Sequence, residues 1–310
     1  MVNKNIIKIG TRGSKLAIFQ AESVMNEIKY AFPETECKIV IIKTKGDKIL
    51  DTALSKIGDK GLFTKELEIA LQKNEIDIAV HSLKDLSTEL PDGLKLTAVL
   101  KRAEFRDVLV HKKNKTLSEL TDEDTIATSS LRRIASLRNF NSNIRITDIR
   151  GNINTRLNKM KNGHCDGMIM AAAGLQRLGL EEYITEIIDP EKFIPAVAQG
   201  AIAIESRLND PVIDEITNAL NHQETFLSTS AERAFLKQLQ GGCQVPIGCY
   251  SLIKNDNLLL TGFVSNLDGT EYLKSNIEGS LFNATNLARK LAKKLIDMGG
   301  KTILDNIRTN

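Results

Sequence analysis

The sequence predicts an α/β protein made of two α/β lobes and a small C-terminal α+β domain. Three observations predict it. A length of 310 residues suits two or three domains, at roughly 150 residues each. Short apolar runs alternate with helical periodicity through the first two thirds of the chain, the βαβα order of layered α/β folds. Beyond about residue 205 the strand-like runs are grouped and helices follow them, the order of an α+β domain. A hydrophobic content of 42% with 26% charged residues sets aside disorder and coiled coil.

The first apolar run, residues 6–10, reads as a strand. Ser14 then opens a helix to about Phe32, with Leu16, Phe19, Val24 and Ile28 near one face and Pro33 as its stop. Residues 37–43 form a strand, and 44–60, polar and glycine-containing, read as a mobile loop. A helix over 62–73 leads into 76–82, a near-continuous apolar strand of the kind buried on both faces. Strands are then expected at 107–112, 124–129, 143–149 and 167–173, separated by helices in a largely parallel sheet. Helices at 209–220 and 222–239 precede a glycine-rich turn. Three strands at 247–254, 257–265 and 271–279 follow, and helices occupy about 283 to 307.

Charge is nearly balanced, with 42 Lys+Arg against 39 Asp+Glu and a net +3, so no whole-protein case for nucleic acid exists. Cys37, Cys165, Cys243 and Cys249 form no CxxC pair, which argues against zinc and against a disulfide scaffold. The N-terminal apolar run is too short for a signal peptide, and no stretch approaches a membrane span of about 18 residues. The expectation is a cytoplasmic protein with reduced thiols and no metal.

Positive charge is instead concentrated where strands end. Thr11-Arg12-Gly13-Ser14, Ser129-Ser130-Leu131-Arg132-Arg133 and Arg150-Gly151-Asn152-Ile153-Asn154-Thr155-Arg156 each follow a predicted strand and place arginines at a helix start. The helix dipole disfavours cations there by a few tenths to about 1 kcal/mol, so helix stability does not account for them. An anionic ligand does, because free N–H groups, hydroxyls and guanidiniums together bind carboxylate or phosphate. Such ligands sit at the carboxyl ends of strands in α/β sheets. Solvated surface arginines are the plainer alternative. A fourth strand end, His81-Ser82-Leu83-Lys84-Asp85, adds a carboxylate to this cationic set. Asp85 either pairs with a neighbouring cation or stabilises a positive intermediate and accepts ligand N–H groups. Cys243 lies on the turn Gln240-Gly241-Gly242-Cys243, where a thiol could act as a nucleophile or a covalent attachment point.

From Ile7 to about Leu304 the chain closely resembles the porphobilinogen deaminases, also called hydroxymethylbilane synthases. The resemblance is carried by GDKGLFTKELE (58–68), IAVHSLKD (78–85), TSSLRR (128–133), IRGNINTRL (149–157), AAGLQRLGL (172–180), PAVAQGAIAIE (195–205), NHQET (221–225), ERAF (232–235) and GGCQVPIG (241–248). It implies two periplasmic-binding-protein-like α/β lobes, with domain 1 at 1–100 and 200–218, domain 2 at 101–199 and domain 3 at 219–310. It implies a dipyrromethane cofactor held by a thioether to Cys243. Four porphobilinogens are condensed onto it head to tail with loss of ammonia, and water releases the linear tetrapyrrole. Each pyrrole carries two carboxylates, the polyanion that strand-end arginines would hold.

Matched residue by residue, the resemblance assigns Ser82, Lys84, Asp85, Thr128, Ser129, Ser130, Arg132, Arg133, Arg150, Gly151 and Arg156 to the cofactor. It assigns Arg12, Ser14, Lys60, Arg150, Arg156, Arg177, Gln199 and Gly200 to substrate. Asp85 is implied to be catalytic, stabilising the azafulvene cation formed as ammonia leaves, and the 44–60 loop to shield that cation from water. Gly13 and Ser87 depart from the family pattern, which has Gln and Pro there; neither change removes a charge. A monomer without nucleic-acid or membrane partners is implied. Two other readings compete: a two-lobed anion receptor, for which a loop thiol is unnecessary, and an RNA-binding protein using 149–163, which lacks aromatics for base stacking.

Overall fold

Strand β1 (Ile6–Thr11) buries Ile7 and Ile9 while Lys8 stays exposed, the period of a strand packed on one face. The structure, a computed structural model, describes residues 6–48, 61–242 and 244–309, and these fall into two units. The first unit draws on 6–48, 61–103 and 200–226; the second on 104–199, 227–242 and 244–309.

In the first unit, helix α1 (Lys15–Ala31) is capped by Ser14, whose Oγ accepts from the Ala17 N–H at 3.2 Å. It buries Ala17, Ala21, Val24 and Ile28, positions spaced on one helical face, and ends at Phe32 before Pro33. Strand β2 (Glu36–Ile41) pairs parallel with β1. The segment expected to be a loop begins with a helical turn, α2 (Lys45–Lys48), while 49–60 lie outside the described residues. Helix α3 (Lys65–Gln72) leads to β3 (Ile78–Ser82), buried along its first four residues as its apolar run predicts. Strand β4 (Leu94–Val99) has no counterpart among the expected strands.

The second unit begins with β5 (Asp107–His111), β6 (Thr125–Ala127), α4 (Leu131–Phe140), β7 (Arg145–Thr147), α5 (Ile153–Lys161), β8 (Gly167–Ala171), α6 (Ala172–Gln176) and the short β9 (Glu186–Ile187). The chain then returns to the first unit as β10 (Ile202–Arg207) and α7 (Pro211–Leu220). The two sheets share one order, β2-β1-β3-β10-β4 and β7-β6-β8-β5-β9, and one pattern of directions. In each, the first three strands are parallel, and the fourth runs antiparallel to both its neighbours. The sheets are therefore mixed, correcting the expectation of a largely parallel arrangement. The antiparallel strand is in each case the one beside a crossing of the chain, a topology that local periodicity does not encode.

Register decides what faces what. Ala203 pairs with His81, Ile204 with Val80 and Glu205 with Ala79. Val80 and Ile204 join Ile7, Ile9, Val24 and Ile28 in the core under α1 and α7. Ala79 packs on the other face with Leu67, Leu71 and Leu94, so His81 and Glu205 share that face.

Helix α8 (Gln223–Gln238) leads to an antiparallel meander of β11 (Ile247–Lys254), β12 (Asn257–Ser265) and β13 (Tyr272–Ser280). Helix α9 (Ala284–Leu295) buries Leu287, Ala288, Leu291 and Leu295, and Gly299 at φ +108° separates it from α10 (Lys301–Thr309). Tyr250 and Phe263 on the meander pack with Ile194, and Tyr250 stacks on Phe105 at 5.6 Å. Buried Glu232 of α8 ties this region together, accepting from Ala198 N–H at 2.7 Å and Ser251 Oγ at 2.5 Å.

Candidate functional site

A cavity of about 80 Å³ in the first unit lies where β1 and β3 end. Arg12, Ser14, Gln20, Phe63, Ser82 and Asp85 are among its lining residues. Arg12 sits over the Phe63 ring at 4.1 Å and grips Asp47 with two nitrogens, Nη2 to Oδ1 at 2.5 Å and Nε to Oδ2 at 3.3 Å. Burial pushes the Asp47 carboxyl up, but Arg12 and the Thr44 hydroxyl outweigh it and hold the group below its usual range. Ser82 Oγ accepts from Gln20 Nε2 at 2.9 Å. On the opposite face, buried His81 meets fully buried Glu205, Nε2 to Oε2 at 2.9 Å. Glu68 lies close enough to feel both; burial raises its pKa, with Glu205 reinforcing the rise and Thr64 and His81 opposing it.

Strand β3 is thus pinned on both faces just before the 3-10 turn Leu83–Asp85, and the Leu83 N–H donates to Ala201 O at 3.0 Å. Lys84 is half-buried on this turn and Asp85 is exposed at the cavity. Arg12, Ser14, Ser82 and Asp85 are therefore brought together at one cavity. Gln20, Phe63, Thr64 and His81 also line the cavity and were not singled out. Phe63 and His81 lie within the quoted segments GDKGLFTKELE and IAVHSLKD, but their residue types gave no anion signal.

In the second unit the ends of β6 and β7 lie side by side, with the Thr128 N–H donating to Thr147 O at 2.9 Å. Thr128 Oγ1 accepts from the Ser130 N–H at 3.2 Å. Ser129 Oγ donates to Ile149 O at 2.9 Å and accepts from its N–H at 3.1 Å, locking the two strand ends together. Ser130 stands at the N-cap of α4 without a side-chain cap bond. Gly151 has φ +113°, and a Cβ there would lie 2.6 Å from Thr155 Cγ2, so only glycine fits. Arg156 Nε donates to Gly151 O at 2.8 Å. Arg150 Nη1 is buried without a hydrogen-bond partner, an orphan donor of the kind that a ligand satisfies. Arg177 follows α6; burial brings its guanidinium down to about 10, so it stays charged at neutral pH.

Arg132 and Arg133 are more deeply buried than Arg150 and Arg156. Both are buried, 5% and 7% exposed, and both are held by Asp107 at the start of β5. Arg133 Nη2 reaches Oδ1 at 2.7 Å and Arg132 Nη1 reaches Oδ2 at 2.8 Å. Arg132 Nη1 also donates to Ile194 O at 2.7 Å, Arg133 Nη1 donates to Ile169 O at 2.9 Å, and Arg133 Nε is buried without a hydrogen-bond partner. Burial raises the Asp107 carboxyl, but the two guanidiniums overcome it and hold the group well below the usual range. Gln199 joins them, its Nε2 donating to Asp107 Oδ1 and Phe105 O at 2.9 Å each. Three residues expected to face a ligand thus converge on an internal carboxylate. Gly200, by contrast, belongs to the first unit, buried at φ +88°.

Cys243 and Lys60 lie outside the described residues. Of the described cysteines, Cys165 and Cys249 are buried and Cys37 is half-buried; burial pushes the Cys165 thiol up to about 11. Burial raises the Cys37 thiol too, the opposite of a reactive thiol's setting. Among the described residues, no group of three or more His, Cys, Asp or Glu side chains could hold a metal ion. No helix among them is long and apolar enough to cross a membrane.

Comparison with known proteins gives two family matches. Residues 7–215 match the model described as "Porphobilinogen deaminase, dipyromethane cofactor binding domain", and 226–297 match "Porphobilinogen deaminase, C-terminal domain". The chain is 47% identical over 305 residues to the porphobilinogen deaminase of Desulforamulus reducens, covering 98% of this chain and 99% of that protein. It is 46% identical over 302 residues to that of Syntrophomonas wolfei, covering 97% and 99%. Among solved structures, the BvgS VFT2 domain of Bordetella pertussis aligns with a TM-score of 0.43 at 13% identity, covering 76% of this chain and 92% of that one.

Proposed function

Because the chain belongs to the porphobilinogen deaminase family, we propose that its strand-end cations hold pyrrole carboxylates while Asp85 carries the chemistry. The family activity is a transferase reaction of porphyrin and haem biosynthesis. Four porphobilinogens are condensed head to tail onto dipyrromethane with loss of ammonia, and hydrolysis releases the linear hydroxymethylbilane. The enzyme reading stands over that of an anion receptor of the same architecture.

The observation that carries the residue assignment is the meeting of Arg12 and Asp85 at one cavity of the first unit. Arg12 presents a planar fork to one carboxylate, Ser14 and Ser82 line the same cavity, and Lys84 adds a charge on the turn that carries Asp85. Asp85, exposed on its turn, accepts hydrogen bonds from pyrrole N–H groups and stabilises the positive charge that develops on the substrate as ammonia departs. The Phe63 ring under Arg12 supplies an apolar face beside that charge.

The second unit suits a polycarboxylate cofactor. Arg150 has an orphan buried donor, Arg156 is turned onto Gly151, and Thr155 leaves no room for a Cβ at Gly151. Thr128, Ser129 and Ser130 add hydroxyls, Arg177 adds a half-buried charge, and Cys243 anchors the group as a thioether. Dipyrromethane, when bound, supplies the pyrrole end to which substrate units are joined. Arg132 and Arg133 join the cofactor set and Gln199 the substrate set, each also in contact with Asp107. Lys60 and Gly200 complete the substrate set. We further place the protein in the cytoplasm as a monomer, without nucleic-acid partners, in line with its net charge of +3.

Intact-mass measurement tests this reading. The purified protein should carry the mass of two pyrrole units, and Cys243→Ser should abolish it. A chain of sequence mass alone, with no turnover of porphobilinogen, overturns the reading.

A further inference from the structure

Gln199, whose side chain reaches Asp107 and Phe105, is the last residue of a tight turn in the second unit. Its N–H donates to Ala196 O at 3.0 Å, closing a four-residue turn over Val197 and Ala198. Ala198 is left-handed at φ +59°, whereas Val197 is not. A hydrogen-bonded turn with positive φ at its third residue alone is of type II, and glycine or asparagine normally fills that position. An alanine Cβ is disfavoured there, so the turn persists only where its surroundings hold it.

Glu232 on α8 is placed to hold it. Its Oε2 accepts from the Ala198 N–H at 2.7 Å and its Oε1 from Ser251 Oγ at 2.5 Å, and both Glu232 and Ala198 are fully buried. A main-chain N–H at that depth is costly to leave unpaired. The chain entering the turn is fixed separately. Pro195 O accepts from the Cys249 N–H at 3.1 Å, and a Cβ on Gly248 would lie 2.7 Å from that same oxygen. Between that anchor and Gln199, Glu232 takes hold of the main chain at the left-handed residue itself.

Beyond the turn, Gln199 Nε2 donates at 2.9 Å to Asp107 Oδ1, the oxygen that also meets Arg133 Nη2 at 2.7 Å. Arg132 holds the other oxygen of the same carboxylate at 2.8 Å. We propose that Glu232 is a positioning residue for Gln199: by holding Ala198 left-handed it aims the Gln199 amide at Asp107, the shared partner of Arg132 and Arg133. The inference rests on the reading of Gln199 as a substrate residue and of the two arginines as cofactor residues.

Steady-state kinetics on protein shown by intact mass to carry the two-pyrrole adduct test it. Glu232→Ala should raise KM for porphobilinogen about tenfold, the weight of one hydrogen bond, with kcat within about threefold of wild type. Glu232→Gln keeps an acceptor for the Ala198 N–H and an amide donor for Ser251 Oγ, so its KM should match wild type. Adding Ala198→Gly to Glu232→Ala should bring KM back toward wild type, because glycine takes the left-handed turn unaided. Ser251→Ala removes the other bond to Glu232; it should lower the thermal midpoint and leave KM alone. A wild-type KM in Glu232→Ala overturns the proposal, and so does a raised KM in Glu232→Gln or Ser251→Ala. A double variant no better than Glu232→Ala, in KM or in yield of folded protein, overturns it as well. Wild-type protein without adduct or turnover overturns instead the reading on which the proposal rests.

Discussion

Arg133 and Asp107 form a buried ion pair, Nη2 to Oδ1 at 2.7 Å, and Arg132 takes the other carboxylate oxygen. One internal anion therefore compensates two internal cations. Removing it strands both guanidiniums away from water, and breaking a buried pair this way costs about 3–5 kcal/mol. Asp107→Ala should lower the denaturation free energy by that amount in a urea titration. A loss under about 1 kcal/mol would mean that these arginines are not internally anchored.

This pair also marks the limit of what the sequence displayed. Arg132 and Arg133 looked like Arg12 and Arg150, each at a helix start after a strand. What separates them is Asp107, between 25 and 26 residues earlier, on a strand whose antiparallel pairing with β8 is non-local. The same non-locality hid β4 and β10. By contrast, α1, β11 and β12 were legible because period and boundary signals are local: Ser14 and Pro33 for the helix, apolar runs separated by the Asn255-Asp256 turn for the strands. In the site, the Arg12 and Asp85 strand ends were legible as charge. The Gln20 bond to Ser82 and the Phe63 ring under Arg12 were not, since both depend on tertiary approach.

Asp47 already occupies Arg12 with the two-point geometry that a pyrrole carboxylate requires. Substrate must exchange with it. Asp47→Asn should lower KM for porphobilinogen, by up to about fivefold given the 0.2–1 kcal/mol span of partly exposed pairs, with kcat unchanged. Steady-state kinetics decide the matter, and a raised KM would mean that Asp47 orients Arg12 instead.

Acid should weaken the second unit in two stages. Burial lowers the His111 pKa, so below about 6.5 the unfolded chain takes up that proton first and stability begins to fall. Asp124 is pushed up by burial, yet Lys115 and Thr121 hold its carboxyl down to about 2. Its contribution is complete above the unfolded value of about 4 and is lost as pH drops from there through about 2. Denaturant midpoints from pH 7 to 3 should therefore decline gently, then steeply below 4. Asp124→Asn should be less stable at neutral pH and flatten the steep limb; an unchanged limb would remove Asp124 from the account.

Asp85 separates binding from chemistry most directly. It is exposed on the turn after β3, so its removal leaves no buried group unpaired and the fold should persist. The cations around the cavity remain to hold substrate carboxylates, so KM for Asp85→Ala should stay within about threefold of wild type. Loss of a preorganised group facing developing charge costs about 2.7–4 kcal/mol, so kcat should fall by roughly 100- to 1,000-fold. Intact mass first selects protein that carries the two-pyrrole adduct, which keeps a loading defect out of the comparison. Turnover near wild type in that fraction would move the cation-stabilising role away from Asp85, whereas a KM rise with kcat intact would make it a substrate-binding residue.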